Sequence, residues 1–464
     1  MRWRCLIVVL LVSAAAVAQE SQLQADFRHE REHVEENCGS FSFKTVASCA
    51  QEFVTDHPLH IALGSIAPQN GFGFGAAFVS HYTPNESWRL SWDVDAVGAT
   101  SGSWRTGAYM KIVHTPVEPI TVVTNPAGNS RKSTLAVHPY TVINVYAQAI
   151  SLNKLFFFGL GPDATLAGKS VFGMTETIVG SNVIKPLKGR LNLALLGEVN
   201  GRFVNLRGNH DQSILSIEQL YNQANAPGLA TQPGFVQLGE GVRIKPVLFS
   251  DHLQLNYLVN LQEFFAPSDS TYSFRRWTVD LDHEFPLYRN TQSAGPKDTN
   301  GPDECALALG AEKCPSVSVS RNRQGAIGFR FLLSESATSA GSVVPFYFQP
   351  TLGGSDINGA PALSSFSDYR FRGPNLLLLH ESFEHSIWGP FGFTFMADQG
   401  KVALTRGDVD FQNLKHSFAS GFTLRAGGFP QVLLLFAWGG GEGHHTIASL
   451  NTSLLGGSSR PSLY

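Results

Sequence analysis

From Ser87 to Val97 the side chains alternate without a break: Trp88, Leu90, Trp92, Val94 and Ala96 fall on one side, and Arg89, Ser91, Asp93 and Asp95 on the other. Period two is the signature of a strand, whose successive side chains point to opposite faces. Similar alternation recurs near residues 71–82, 103–114, 140–151, 169–179, 190–200, 235–249, 253–264, 271–284, 318–333, 343–349, 375–386, 390–398, 416–426, 431–438 and 445–455, with Gly, Pro, Asn and Asp clusters between. Soluble strands average about five or six residues. Most of these segments run nearly twice that, the length needed to cross a hydrocarbon layer at a tilt. An open sheet edge in lipid leaves backbone N–H and C=O groups unpaired at several kcal/mol each, so the sheet must close on itself. The reading is an all-β fold, a transmembrane antiparallel barrel of about sixteen strands over residues 60–464, preceded by a short helical or loop segment. Tyr82, Tyr109, Phe264, Trp277, Tyr288 and Trp388, near segment ends, are expected in an interfacial aromatic girdle.

The composition fits a surface that water does not wholly cover. Only 15% of the residues are charged, against about a quarter in ordinary soluble domains. The formal net charge is −3 and no Lys/Arg cluster is present, which excludes a phosphate-binding face and with it a nucleic-acid partner. Residues 1–18 read as a signal peptide: Arg2 and Arg4 precede an apolar run from Leu6 to Val12, and Ala16-Val17-Ala18 suits cleavage. Residues 19–59 then form a short periplasmic segment, and the barrel belongs in an outer membrane with the bilayer as its partner. No later stretch approaches the roughly 18 to 20 apolar residues of a spanning helix. Cys5 leaves with the signal. An even count in an exported chain favours disulfides for Cys38, Cys49, Cys305 and Cys314; local closure is the simplest of three connectivities, and four free thiols are the alternative.

With a periplasmic start, odd-numbered connections face outward. That numbering puts the loop from Arg289 to Pro315 outside and the polar stretch from Asn205 to Pro233 on the periplasmic side, where turns should be short. His29-Glu30-Arg31-Glu32-His33 satisfies the H-E-x-x-H pattern of zinc proteases, but it lies in a charged, solvated helix without a third ligand or a cleft. His380 and His385 fall on opposite faces of a strand, which disfavours a shared metal. His444-His445 likewise splits between faces. Gly439-Gly440-Gly441 reads as an external hairpin turn. No nucleophile elbow, activated cysteine or paired-carboxylate cleft stands out. Neither an enzyme nor a cofactor or metal is expected.

Two stretches are similar to the bacterial surface antigen family, the outer membrane protein 85 superfamily of assembly and translocation barrels. One is Phe157-Phe158-Gly159-Leu160-Gly161-Pro162-Asp163. The other comprises Leu352-Gly353-Gly354-Ser355-Asp356, Leu363-Ser364-Ser365-Phe366, Asp368-Tyr369-Arg370-Phe371-Arg372-Gly373 and Ala397-Asp398-Gln399-Gly400-Lys401-Val402. Order and spacing resemble the family's sixth external loop, between the eleventh and twelfth strands, and the strand pair after it. The resemblance implies a loop folded into the lumen and pinned there by an arginine on an aspartate of the thirteenth strand, a two-pronged contact well suited to the task. In this chain Ser364 and Ser365 replace the motif's Arg and Gly. Either Arg370 or Arg372 then supplies the charge that meets Asp398, or the loop is held differently and these arginines simply line a wet lumen; Gly354, Phe366 and Gly373 are expected to shape the loop. The family's periplasmic POTRA modules, which bind clients and partners, do not fit between Gln19 and Gly71. The function implied is protein assembly or translocation at the outer membrane, on a polypeptide client and with a separate periplasmic partner. A simple channel for small solutes is the alternative, and a periplasmic metalloenzyme built on residues 29–33 the third reading.

Overall fold

The computed structural model describes residues 59–463, except 86, 115–139, 188–190, 210–212, 250–251, 295–318, 389–390, 425–430 and 452–459. The signal sequence, the H-E-x-x-H stretch and all five cysteines therefore lie outside the described residues. Sixteen strands follow one another around an antiparallel sheet. They are β1 (Leu59–Ser65), β2 (Phe72–Asn85), β3 (Trp88–Ala99), β4 (Trp104–His114), β5 (Thr141–Phe157), β6 (Ser170–Pro186), β7 (Leu193–Gly208) and β8 (Phe235–Ile244). The second half comprises β9 (Leu253–Phe265), β10 (Phe274–Ala294), β11 (Val319–Thr338), β12 (Asn375–Trp388), β13 (Phe391–Ala403), β14 (Lys415–Leu424), β15 (Gln431–Trp438) and β16 (His445–Asn451). Val247–Leu248 extends β8 along the same partner, β9. Every strand pairs with its sequence neighbour, from β1 with β2 to β15 with β16. The two ends meet at a seam where Leu450 N donates to Ser65 Oγ at 3.2 Å.

The alternation of β3 is expressed as two environments. Asp93, Asp95 and Val97 face the lumen and are buried, whereas Val94 is 50% exposed on the outside. Phe203, Val236, Val259, Phe329, Phe395 and Phe422 continue that outer face. Inward positions carry Arg105, Asn144, Gln148, Glu176, Asn200, Arg202 and Gln237, all buried. Apolar outside and polar inside inverts a soluble protein, and it is the arrangement a bilayer selects. Among the described residues no helix is long and apolar enough to span a membrane.

The strand count survives two compensating departures. β1 is a strand beyond those expected from the sequence: its outward Leu59, Ile61 and Leu63 alternate only with His60, Ala62 and Gly64 over seven residues, a weak signal. Residues 343–349, read as one, are not: Val344 to Gln349 are buried continuously, without alternation, and Phe346–Phe348 forms a single 3-10 turn. Pro345 and Pro350 remove the donors a ladder there would need. Both departures shift the sidedness of every connection between them. Residues 209–234 join β7 to β8 and so leave at the same mouth as the connection from β11 to β12. Ala294 and Val319, which flank the cysteine-bearing stretch, stand at the opposite mouth. Of the expected girdle, Tyr82, Trp277 and Tyr288 are exposed, whereas Tyr109 and Phe264 are buried. Tyr109 shares the parity of inward Arg105 and donates to Gln148 Oε1 at 2.8 Å. Phe264 stacks on Phe274 at 4.4 Å inside the barrel.

Candidate functional site: the lumen and its sixth loop

Residues 339–374, between β11 and β12, turn back into the barrel. The base of this sixth loop is an aromatic wedge. Phe346 lies 5.1 Å from Phe157 and 5.3 Å from Phe172, and Phe348 lies 5.0 Å from Phe235 and 5.3 Å from Phe264. These rings belong to the largest apolar cluster in the molecule. The wedge is hydrogen-bonded to neighbouring connections as well: Phe346 N donates to Pro227 O and Val343 N to Thr271 O, both at 2.8 Å. One mouth of the barrel is thus filled by packed aromatics.

Arg372 sits at the neck. Its Nη1 donates to Phe346 O at 2.9 Å and to Gln349 O at 3.3 Å, and residue 372 pairs with Thr351 to join the two arms of the loop. Gly161 N donates to Arg372 O at 2.7 Å. The two stretches that resemble the surface antigen family therefore touch, and the Phe157–Asp163 turn braces the neck. Gly161 has φ +94°, a left-handed conformation that favours glycine.

The tip, Ala362 to Phe366, is held mainly by its backbone. Leu363 N donates to Asp398 Oδ2 at 2.9 Å, and Ser365 N donates to Ser417 Oγ at 2.8 Å. Leu363 adopts φ +52°, which aims its amide at the wall. The other oxygen of Asp398 faces His380 Nδ1 at 2.6 Å. His380 and Asp398 stand directly opposite each other in the β12–β13 ladder. Asp398 is on the thirteenth strand, and it does engage the loop, but through the amide of Leu363. Phe366 packs on Phe371 at 5.1 Å within a second apolar cluster that includes Leu352, Leu376, Leu378 and Val402.

Arg370 turns elsewhere. Its Nε lies 2.6 Å from Glu442 Oε1, with both side chains nearly buried. The guanidinium also lies over the rings of Phe158, 4.9 Å away, and Phe371, 4.7 Å away, a cation–π sandwich. The expected arginine–Asp398 contact is replaced by two others, Arg370 with Glu442 and His380 with Asp398. The physical reason is distribution: with serine at 364, the imidazole across the ladder meets the carboxylate, and the loop's cation is left for the β15–β16 connection. That connection is the glycine-rich turn. A Cβ on Gly440 would strike Ser365 Oγ and come within 2.6 Å of Phe366, so the turn can press against the loop only because it lacks side chains there.

Asp368 ties the loop to the first connection, accepting from Gln69 Nε2 at 2.7 Å and from Ser355 N at 2.9 Å. Burial pushes its carboxyl above the ordinary value, and the Gln69 and Ser355 donors pull the other way. Gly354 lies against it, at φ +62° and with Asp368 where a Cβ would be. Gly373 approaches Ala403 O, which a Cβ would meet at 3.0 Å. Tyr369 is buried and its hydroxyl donates to Pro68 O at 3.0 Å.

The structure thus brings Arg370, Arg372, Phe366, Gly354, Gly373 and Asp398 into one loop-and-wall assembly, and it adds His380, Ser417, Gln69 and Glu442. His380 carried only half a signal: counting back from the Trp388↔Phe391 pair places it across from Gln399, and the β-bulge between Ser386 and Trp388 moves it opposite Asp398. Glu442 carried none, because nothing local connects it to residue 370. Among the described residues no group of His, Cys, Asp and Glu is arranged to hold a metal.

No protein-family model matches the chain, and no curated protein matches it in sequence. Its fold is similar to solved structures. CdiB from Escherichia coli superposes with a TM-score of 0.50 at 10% identity, over 85% of this chain and 62% of that one. CdiB from Acinetobacter baumannii gives a TM-score of 0.47 at 11% identity, over 84% of this chain and 58% of that one. BamA from Haemophilus ducreyi lacking POTRA domains 1–3 gives 0.44 at 10% identity, over 85% and 70%. The chain spans about three fifths of the length of either CdiB, and at such identities the likeness is one of fold.

Proposed function

We propose that this chain is an outer-membrane barrel of the surface antigen type, acting on polypeptides that enter or cross that membrane. The observation that carries the reading is the sixth loop, folded into the lumen and fastened to the wall through Asp398, Ser417 and Glu442. Such a loop is a movable filling. Each fastening is a hydrogen bond or ion pair that a passing chain can replace with its own backbone or side-chain groups. A permanently open channel for small solutes fits less well, because Phe346 and Phe348 pack against the wall aromatics at one mouth.

Reconstitution in liposomes separates the two. The expected outcome is faster, protease-protected insertion of a urea-unfolded outer-membrane barrel polypeptide into vesicles that carry this protein than into empty ones, with slow swelling in small sugars. Rapid sugar-driven swelling with no effect on polypeptide insertion would establish the solute channel instead. Arg370, Arg372, Phe366, Gly354, Gly373 and Asp398 are proposed as the residues that set the loop's position. The signal peptide, the disulfides and a separate periplasmic partner remain parts of the same proposal.

A further inference from the structure

After β16 the segment Arg460–Leu463 lies inside the barrel. Arg460 Nη2 reaches Asp95 Oδ2 on β3 at 2.5 Å. The wall's own cation, Arg105 on β4, stands farther from the same oxygen, at 3.6 Å. Asp95 is 1% exposed, and Asp93 beside it is also buried. Two buried carboxylates on one face call for more positive charge than Arg105 supplies, because an unpaired buried charge costs several kcal/mol. Arg460 provides it, with its guanidinium 5.8 Å from the Tyr109 ring.

Two residues on, the contacts pass to another part of the wall. Arg202 on β7, fully buried and paired with Glu176 at 2.7 Å, donates from Nη2 to Ser462 O at 2.8 Å. It also donates from Nε to Gln237. The sixth loop completes the enclosure: Leu463 N donates to Asn358 Oδ1 at 3.0 Å, and Asn358 Nδ2 reaches Ser462 Oγ at 3.4 Å. Leu463 itself is buried and belongs to the large apolar cluster. Acid for a cation, donors for a backbone carbonyl, an acceptor for a backbone amide and an apolar recess for a side chain make a complete peptide site.

We propose that the lumen wall around Asp95 and Arg202, closed over by Asn358 of the sixth loop, is a peptide-binding site whose resident ligand is Arg460–Leu463. The site takes an extended polypeptide segment with a cationic residue three positions before an apolar one, and an incoming segment of that pattern displaces the resident. This rests on the polypeptide-handling reading above and names the kind of segment the lumen receives. Asn358 belongs to the same loop that Asp398 fastens at Leu363 and Glu442 at Arg370, so displacement at one place should loosen the other.

The test is conductance in planar bilayers for the full chain and for the chain shortened to residue 459. The shortened chain should conduct several-fold more, and a synthetic peptide of residues 460–464 should return it to the full-chain level at roughly millimolar concentration, the range a short tether replaces. The same peptide with Glu in place of its Arg should not. Equal conductance of the two chains, or indifference to both peptides, overturns the site. If the shortened chain fails to fold, as judged by loss of heat-dependent electrophoretic mobility, the full chain with Leu463→Cys decides. Maleimide labelling above that of the unsubstituted chain should then be slow before boiling and fast after it, and fast labelling of the folded barrel overturns the proposal. Peptide closure without any effect on polypeptide insertion would keep the site and sink the function proposed above.

Discussion

Asp398 is one of the fastenings of the sixth loop's tip, its carboxylate serving Leu363 N of the loop with one oxygen and facing His380 Nδ1 of the wall with the other. Asp398→Ala leaves a buried amide unsatisfied, at about 1–3 kcal/mol. The expected result is a looser loop and higher single-channel conductance. Asp398→Asn keeps an acceptor for Leu363 N and should conduct like the unsubstituted protein. Equal behaviour of the two variants, in either direction, would show that the amide contact does not hold the loop. Asp368 supplies a pH dependence. Its carboxyl is raised by burial, so the protonated form is the better fitted one. The stabilisation is fully present below the ordinary value of 3.8 and is lost as pH rises through the folded-state value. Asp368→Asn, which keeps an acceptor for Ser355 N, should therefore lose its heat-dependent mobility at a higher temperature than the unsubstituted protein at neutral pH. That advantage should shrink as the medium is acidified; an advantage that grows in acid would refute the argument. The identity of the carboxylate on the thirteenth strand was legible in the sequence. Its partner was not, because the serine at 364 shows only that the usual arginine is gone, and the imidazole that meets the carboxylate becomes visible only once β12 and β13 are set in register. The Arg370–Glu442 pair was beyond reach, since its members lie on connections that meet only through the closure of the barrel.

At the scale of elements, the glycine turn between β15 and β16 and the sixth loop are one mechanical unit, joined by Arg370–Glu442 and by the close approach of Gly440 to Phe366. Gly440→Val places methyl groups where Phe366 and Ser365 now sit and should displace the tip, raising conductance as Asp398→Ala does. Arg370→Ala and Glu442→Ala should each lower the temperature at which heat-dependent mobility is lost. Together they should do little more than either alone, with a coupling of about 0.5–3 kcal/mol for groups in contact. Strictly additive losses would mean that the pair is incidental. Strand existence was readable where large outward residues alternate with charged or polar inward ones, as in β3, and failed at β1, where Leu59, Ile61 and Leu63 alternate with His, Ala and Gly over only seven residues. Residues 343–349 misled for the complementary reason: an apolar run buried on all sides gives a strand-like density of Val and Phe without the period that defines one.

For the whole molecule, the decisive property is a sheet that is polar within and apolar without. Val94, midway along β3 and half exposed toward lipid, should resist a charge: Val94→Arg is expected to cost about 2–4 kcal/mol near the bilayer midplane. Around the sheet, cohesion is uneven. The β5–β6 ladder runs from Val142↔Ile184 to Phe157↔Ser170, whereas β1 and β16 are seven-residue strands that meet at the seam through Leu450 N and Ser65 Oγ. Local opening free energies in a folded protein range from near zero to the global value, according to how many contacts break together. Separating the seam disrupts few contacts, while opening β5 from β6 disrupts a whole ladder. Amide hydrogen exchange in detergent micelles should therefore be fastest among the strand amides of β1 and β16 and slowest in β5 and β6. Uniform protection around the barrel would mean that the seam is sealed as firmly as any ladder, and that any route for a polypeptide must run through the lumen past the sixth loop.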